Sequence, residues 1–387
     1  MIYDAIVVGL GPGGSVAARI LAQHGLRVLA FEKERMPRYK PCGGALSARV
    51  LDVLDVDLTA VIQATIYGGV FTFRGTDQFS AHFHKPVAYM VMRPQFDQLL
   101  SQHARSTGAT IHEGERVLAV QQRQTDIKVT TSHGVYQTAW LIGADGAAGI
   151  VRHYVTQGYY TIPIAGLEAE LTTSQQIIQH YTHQVTLDFG EVPNGYSWIF
   201  PKNDHLSVGV FGAFRQTIHP RHLIWRFLTN QGVSTSVDEK FHGHVIPIYL
   251  GGRANVQRQR ILLIGDAAQL VDPFFGEGIY YAIKSAQIAS HTILKYVYQT
   301  LPVEEQYERH LQDILTELRA ALKVARLLYR FPQYGYHLFK TQSMLVQIYF
   351  MILCGESSFV QFYSALRRKA ISSVLSYKLR QYNSKYK

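Results

Sequence analysis

The sequence predicts an α/β chain, α+β overall: a parallel-sheet unit assembled from separated stretches, an inserted antiparallel sheet, and a helical C-terminal segment. Three observations predict it. First, an apolar run at 5–8 leads into Gly9-Leu10-Gly11-Pro12-Gly13-Gly14, then into helical spacing at Val16, Ala17, Ile20 and Leu21, and a second apolar run at 27–31 ends at Glu32. Second, later apolar runs at 140–142 and 260–264 lead into Gly143-Ala144-Asp145-Gly146 and Gly265-Asp266-Ala267-Ala268. Third, strand-like alternation with glycine punctuation fills 65–92 and 166–214.

The first stretch runs strand, Gly-rich turn, helix, strand, acid within about thirty residues, the dinucleotide-binding fingerprint. Gly9 permits the tight turn, Gly11 has no side chain to block a pyrophosphate, and Gly14 lets helix and strand pack closely. The helix N-terminus offers free N–H groups and its positive dipole end to phosphates. Glu32, eighteen residues past Gly14, stands where a carboxylate accepts hydrogen bonds from a ribose and disfavours a 2′-phosphate. A purely structural Gly-rich turn is the competing reading of the hexapeptide alone; strand, helix and acid in place argue against it. The fingerprint fits NAD and FAD alike.

The 387 residues suffice for two domains and a large core, and 47% apolar with 17% charged residues excludes a disordered chain. Two cysteines, Cys42 and Cys354, build no disulfide framework and fit a reducing compartment. No basic and apolar leader precedes the first strand, and no apolar run reaches about eighteen residues, so a cytoplasmic chain without a spanning helix is expected. No metal site is predicted. The net charge of +10 is local: residues 316–387 hold twelve Lys and Arg against Glu317 and Glu356, which equals the excess of the whole chain.

In order along the chain, Pro37-Arg38-Tyr39-Lys40-Pro41-Cys42-Gly43-Gly44 is an ordered non-helical loop, and 47–54 is helical. Arg93-Pro94 opens a helix to about 105, Pro94 suiting its first turn. Strands follow at 110–112, 116–121, 127–130 and 140–142, then at 184–189, 196–200, 206–211 and 244–248, with a helix at 219–230 among the latter. A helix runs from Gly276 onward, and residues from 303 read as helical. The expected division is a Rossmann-like nucleotide-binding domain at 1–60, 93–165 and 255–300, a substrate-covering antiparallel sheet at 61–92 and 166–254, and a helical segment at 301–387.

Taken together, the fingerprint, the two Asp-containing turns and the continuation Pro273-Phe274-Phe275-Gly276-Glu277-Gly278-Ile279-Tyr280-Tyr281-Ala282 resemble the FAD-binding fold shared by aromatic-ring hydroxylases, flavin halogenases and geranylgeranyl reductases. Lys40-Pro41-Cys42-Gly43-Gly44 and Gly195-Tyr196-Ser197-Trp198-Ile199-Phe200-Pro201-Lys202 resemble the geranylgeranyl reductase family in particular. The resemblance covers about residues 1–300. It implies FAD as cofactor, held by Gly9, Gly11, Gly13, Gly14, Glu32 and Lys33 from the first unit. Arg93 and Asp145 would follow, then Gly265, Asp266, Pro273, Gly276, Gly278 and Ile279. Asp266 would accept from a ribityl hydroxyl or cap a helix. The glycines at 276 and 278 would bring a helix dipole to the reduced ring. Glu277, an acid beside that anion, is expected to point away. Where the family often has a hydroxyl residue after Asp145, this chain has Ala148 and Gly149.

The resemblance places Cys42, with Gly43 and Gly44, over the flavin near the reacting carbons. Its thiol either donates a proton or is a small group that lets the loop sit close. Tyr196 and Trp198 alternate on a strand and face one side, lining a tunnel or forming ordinary sheet core. Tyr196 and Phe200 depart from the halogenase WxWxIP-like stretch, which counts against a halogenase. The implied activity is saturation of C=C bonds in an isoprenoid substrate, with reducing equivalents from NAD(P)H or a ferredoxin-like donor that is not stably bound. The alternatives are a monooxygenase- or halogenase-like oxidant and a flavin-binding, membrane-associated protein without turnover. The Cys42 loop and the Tyr280-Tyr281 pair favour the reductase.

In the C-terminal segment basic residues interleave with Tyr329, Phe331, Tyr334, Tyr336, Phe339, Phe350 and Phe362. That composition suits peripheral contact with an anionic membrane through 316–387, and equally a helical cap with a solvated basic face. Nucleic acid is not expected as a partner.

Overall fold

The computed structural model describes residues 2–158, 164–214, 219–233, 240–252, 255–299 and 306–369. Its first sheet has eight strands. The main path runs Gln257–Arg258, Ile261–Leu263, Val135–Gly143, Ile2–Val8, Val28–Glu32, Thr110–Glu113, with Ile127–Thr131 and Val117–Gln122 branching from Val135–Gly143. The four central pairings are parallel. Their strands are apolar through and through, as a sheet covered on both faces requires: Ala5, Ile6, Val7, Leu141, Ile142, Ile261, Leu262 and Leu263 have no exposed surface. The helix Pro12–Gln23 lies on this sheet between the helices Arg93–Ser106 and Ile279–Gln299, buried from Pro12 to Ala22.

A second sheet has seven strands in the order His242–Ile246, Ile164–Thr172, His205–Gly212, Tyr196–Pro201, Gln184–Phe189, Gly68–Phe73, Asp77–His82. Alternation sorts its side chains. Ala169, Leu171, Ile199, Val208 and Val210 pack with the helix Pro220–Asn230, while Phe71, Leu187, Tyr196, Trp198 and Phe211 face the other way, toward the C-terminal helices. Those helices are Gln312–Arg330, Pro332–Thr341, Ser343–Leu353 and one at 359–369.

Four expectations are corrected. The second sheet is not wholly antiparallel, because Gln184–Phe189 pairs parallel with Gly68–Phe73; period-two alternation reads the same for either direction. The block 61–92 does not enter that sheet as a unit. Ile62–Ile66 and Ala88–Val91 join Ala45–Ser47 in a separate three-stranded sheet, and only 68–82 crosses over. The helix at 47–54 is a 3-10 turn, Ala48–Val53, and the helix expected from Gly276 starts at Ile279. In the C-terminal segment, Leu345, Val346, Phe350 and Ile352 of Ser343–Leu353 are buried, as are Tyr336 and Phe362, while Phe331 and Tyr334 are exposed. Of the segment expected to be helical at 301–387, residues 301–305 and 370–387 lie outside the described residues, and no helix among the described residues is long and apolar enough to cross a membrane.

Candidate active site

One continuous cavity of about 830 Å³ lies between the two large sheets. It falls within the range of about 300–1,000 Å³ of small-molecule sites. The predicted cofactor positions Gly9, Gly11, Gly13, Gly14, Glu32, Lys33, Arg93, Asp145, Gly265, Asp266, Gly276, Gly278 and Ile279 line it, with Cys42, Gly43, Gly44, Tyr196 and Trp198. Pro273 does not. Asp272 accepts from the N–H groups of Phe274 and Phe275 at 2.8 and 3.0 Å, and that turn leaves Pro273 outside the wall.

The polar end is the glycine turn. A Cβ on Gly14 would sit 1.8 Å from the Gly9 carbonyl oxygen, so helix and strand close only without one. A Cβ on Gly11 would meet nothing nearer than Nη2 of Arg38 and Arg93, each at 4.0 Å, so open space flanked by two guanidinium groups lies over the turn. No side chain caps the helix Pro12–Gln23. That open cradle fits a pyrophosphate.

Glu32 accepts from the Leu10 N–H at 3.0 Å and from the Glu34 N–H at 3.4 Å, and lies 3.4 Å from Arg38. It therefore also braces the turn it was expected to follow. Lys33, at the rim, is half exposed and 3.8 Å from Glu34. Arg93 forks onto Asp97 at 2.9 and 2.8 Å, and Arg38 reaches Asp97 at 3.1 Å. Burial works against the Arg93 charge, but Asp97 and the Cys42 sulfur outweigh it and raise its pKa. Asp145 accepts from the Val151 N–H at 2.7 Å, while its buried Oδ1 has no hydrogen-bond partner among the described residues; burial pushes its pKa up to about 6. Gly149 explains the missing hydroxyl residue, since a Cβ there would land 1.9 Å from the Asp145 carboxyl carbon.

The loop carrying Cys42 crosses the cavity and is tied to the seven-stranded sheet three times. Tyr39 OH donates to Glu168 at 2.6 Å, Lys40 lies 2.6 Å from Nε2 of His244, and Lys202 donates to the carbonyls of Gly43 and Val91 at 2.8 and 3.0 Å. Burial pushes His244 down to about 4, helped by Lys40, so the neutral ring accepts from the ammonium. Burial also lowers Lys202 to about 8 against the opposing pull of Glu170, Cys42 and Glu168. It raises Glu168 to about 7 despite the Tyr39 hydrogen bond. Gly43 packs on the Phe200 ring, where a Cβ would fall 2.8 Å from ring carbons. Gly44 has φ +66° and a virtual Cβ 2.0 Å from the Val91 oxygen, so only glycine closes the loop here. The Cys42 sulfur accepts from the Gly44 N–H at 3.4 Å.

The far end is apolar. Tyr196 OH donates to the Phe275 carbonyl at 2.7 Å, which fixes the turn before Gly276. Trp198 stacks on Phe200, and its buried indole N–H has no hydrogen-bond partner among the described residues. Glu277 lines the cavity, but its carboxylate is engaged by Ser47 and by Arg49, which in turn lies over the Tyr280 ring at 3.9 Å. The acid is thereby neutralised in place.

Sequence reasoning missed Arg38, Asp97, Lys202, Glu168, His244 and Arg49. Lys202 ends a quoted motif and Asp97 sits one helical turn past Arg93, so both carried a local signal. Glu168 and His244 carried none, because only strand pairing brings them beneath the loop.

Compared with known proteins, the chain matches the FAD binding domain family over residues 2–299. It is 30% identical over 334 residues to an uncharacterized protein of Methanosarcina barkeri, covering 84% of each. It is 26% identical to the chloroplastic geranylgeranyl diphosphate reductase of Nicotiana tabacum, with 75% of this chain spanning 65% of that protein. It is likewise 26% identical to the digeranylgeranylglycerophospholipid reductase of Thermoplasma acidophilum, covering 83% of this chain and 88% of that one. Among solved structures, a geranylgeranyl bacteriochlorophyll reductase-like protein of Thermoplasma acidophilum superposes with TM-score 0.71 at 21% identity, over 94% of this chain and 95% of that chain. The flavin-dependent brominase Bmp2 does so with TM-score 0.73 at 18% identity, over 96% and 100%. These two likenesses speak to the fold.

Proposed function

Because the chain belongs to the FAD-binding domain family, we propose that it is an FAD-dependent reductase that saturates C=C bonds of an isoprenoid chain. The observation that carries this reading is the composition of the cavity. A phosphate-cradling glycine turn and an aromatic, largely apolar wall belong to one space, with the Cys42 loop between them. The reductases among its relatives support the substrate class.

When bound and reduced by an external NAD(P)H or ferredoxin-like donor, FAD supplies hydride. The chain's residues do the rest. The glycine turn, Arg38 and Arg93 hold the pyrophosphate, and Glu32 and Asp266 the ribose and ribityl hydroxyls. The N-terminus of Ile279–Gln299, which lines the cavity, would offer its positive dipole end to the reduced ring, and Arg49 neutralises Glu277 in the same wall. Leu187, Tyr196, Trp198 and Phe211 exclude water from the apolar chain. An isolated alkene accepts hydride only with a proton, and the Cys42 thiol, or a water held at Gly43-Gly44, supplies it.

The test is anaerobic. The purified protein is reduced with dithionite, geranylgeranyl diphosphate is added, and flavin reoxidation is followed beside product mass. A gain of two hydrogens per turnover is expected. Reoxidation only after air is admitted sinks the reductase reading in favour of an oxygen-using enzyme. That second reading has the shared fold of the brominase behind it, with Tyr196 and Phe200 standing against a halogenase.

A further inference from the structure

A second cavity, of about 160 Å³, lies between the seven-stranded sheet and the C-terminal helices. It shares Phe71, Phe275 and Tyr349 with the large cavity, so these three rings stand between the two spaces. Phe275 and Tyr349 are themselves in contact, with centroids 4.5 Å apart.

The chemistry of its lining is one-sided. The Tyr329 hydroxyl donates to the Phe274 carbonyl, and the Tyr336 hydroxyl to the carbonyl of Asp77 at 2.8 Å. Both tyrosines thus turn their polar atoms to backbone and offer ring faces to the space. Glu191 belongs to the lining too, with its carboxylate turned to Arg226. The space is only partly enclosed, Asn194 and Pro332 standing at its rim, and aromatic rings face it rather than fill it, unlike a close-packed interior. An apolar cavity of about 150 Å³ takes up benzene, six carbons, and stays dry without it. The second cavity therefore matches one five-carbon unit.

Building on the isoprenoid reading of the large cavity, we infer that this chamber is a subsite for the distal end of the apolar chain, with Phe275 and Tyr349 as the partition the chain must pass. Substrate length is then read here, beyond the rings that the two cavities share. Val346, buried in the chamber wall, is the residue through which that reading is adjusted.

The test measures binding of prenyl alcohols to the FAD-loaded protein by calorimetry, so neither turnover nor head group enters. The probes are geraniol, geranylgeraniol and geranylfarnesol, of ten, twenty and twenty-five carbons. Val346→Phe fills the chamber. It is expected to weaken geranylgeraniol by about tenfold or more, since each buried methylene contributes about fourfold, and to leave geraniol unchanged. Val346→Ala enlarges the chamber and is expected to improve geranylfarnesol relative to geranylgeraniol by about fourfold. Equal weakening of the ten- and twenty-carbon alcohols in Val346→Phe overturns the subsite, as does an unchanged length ratio in Val346→Ala. The alanine variant decides alone if the phenylalanine variant does not fold. A wild-type protein that binds none of the three removes the isoprenoid reading itself. Wild-type binding with flat ratios in the variants removes the chamber alone.

Discussion

The side-chain nitrogen of Lys202 lies 2.8 Å from the carbonyl oxygen of Gly43, a fully buried lysine holding down the loop that carries Cys42. The same ammonium reaches the Val91 carbonyl, so one group ties loop, helix entry and sheet together. Lys202→Met removes both hydrogen bonds without removing the stem. Hydrogen bonds from a charged donor contribute about 1.5–3 kcal/mol each, so Cys42 is expected to react with iodoacetamide at least about tenfold faster in the variant. Mass spectrometry reads the two thiols separately, and the buried Cys354 serves as the internal control. Equal Cys42 rates in the two proteins would show that the loop is held by other means.

Gly11→Ala separates fold from cofactor binding. Among the described residues the alanine methyl meets no atom closer than 4.0 Å, but it would occupy the approach of the pyrophosphate. The flavin-free variant is expected to melt within about 0.5 kcal/mol of wild type in stability. Its FAD affinity is expected to fall by about tenfold or more. Titration with FAD beside a thermal melt checks both; unimpaired FAD binding contradicts the placement of the phosphates.

Arg49 and Glu277 form a buried pair beneath the turn that precedes Ile279–Gln299. Arg49→Met leaves the Glu277 charge unpartnered and is expected to cost about 3–5 kcal/mol, and the double variant Arg49→Met/Glu277→Gln to recover most of it. Chemical denaturation of the four proteins closes the cycle. Additive losses would mean that the two side chains do not depend on each other.

Burial raises four carboxyl groups: Asp272 and Glu168 to about 7, Asp145 and Asp188 to about 6. A carboxyl whose pKa is higher folded than unfolded keeps its proton more tightly in the native state. Its contribution to stability is full below about pH 4 and is lost as pH rises through about 6 to 7. The flavin-free protein is therefore expected to melt at a higher temperature at pH 5 than at pH 8. Asp272→Asn should flatten that slope. A melt that rises with pH over this window has the wrong sign for these groups.

That the glycine turn, Glu32, Asp145 and Asp266 would line one space was legible because each sits on a local pattern: a strand, a turn and a helix N-terminus within a short stretch. The Cys42 loop and the Tyr196–Trp198 alternation were legible for the same reason. Glu168, His244 and Lys202 were not recognised as partners of the loop, since their proximity depends on the pairing of Ile164–Thr172 with His205–Gly212 and His242–Ile246. The parallel pairing of Gln184–Phe189 with Gly68–Phe73 was illegible too, because alternation carries no direction. Basic and aromatic composition at 316–369 did not reveal which rings turn inward; only the packing of the helices on Phe71, Phe274 and Phe275 does that.

The order of strands in the first sheet bears on how the protein is made. Ile2–Val8 is flanked by Val28–Glu32 and Val135–Gly143, and Val135–Gly143 is completed only by Ile261–Leu263, whose last carbonyl is held by the Tyr307 hydroxyl at 2.6 Å. A ribosome releases the N-terminal turn first and these closing strands and helices last. The nascent chain thus carries its glycine turn on an incomplete sheet until Ile261–Leu263 and Tyr307 have emerged. Truncation before residue 307 should yield an insoluble, colourless product rather than a smaller flavoprotein.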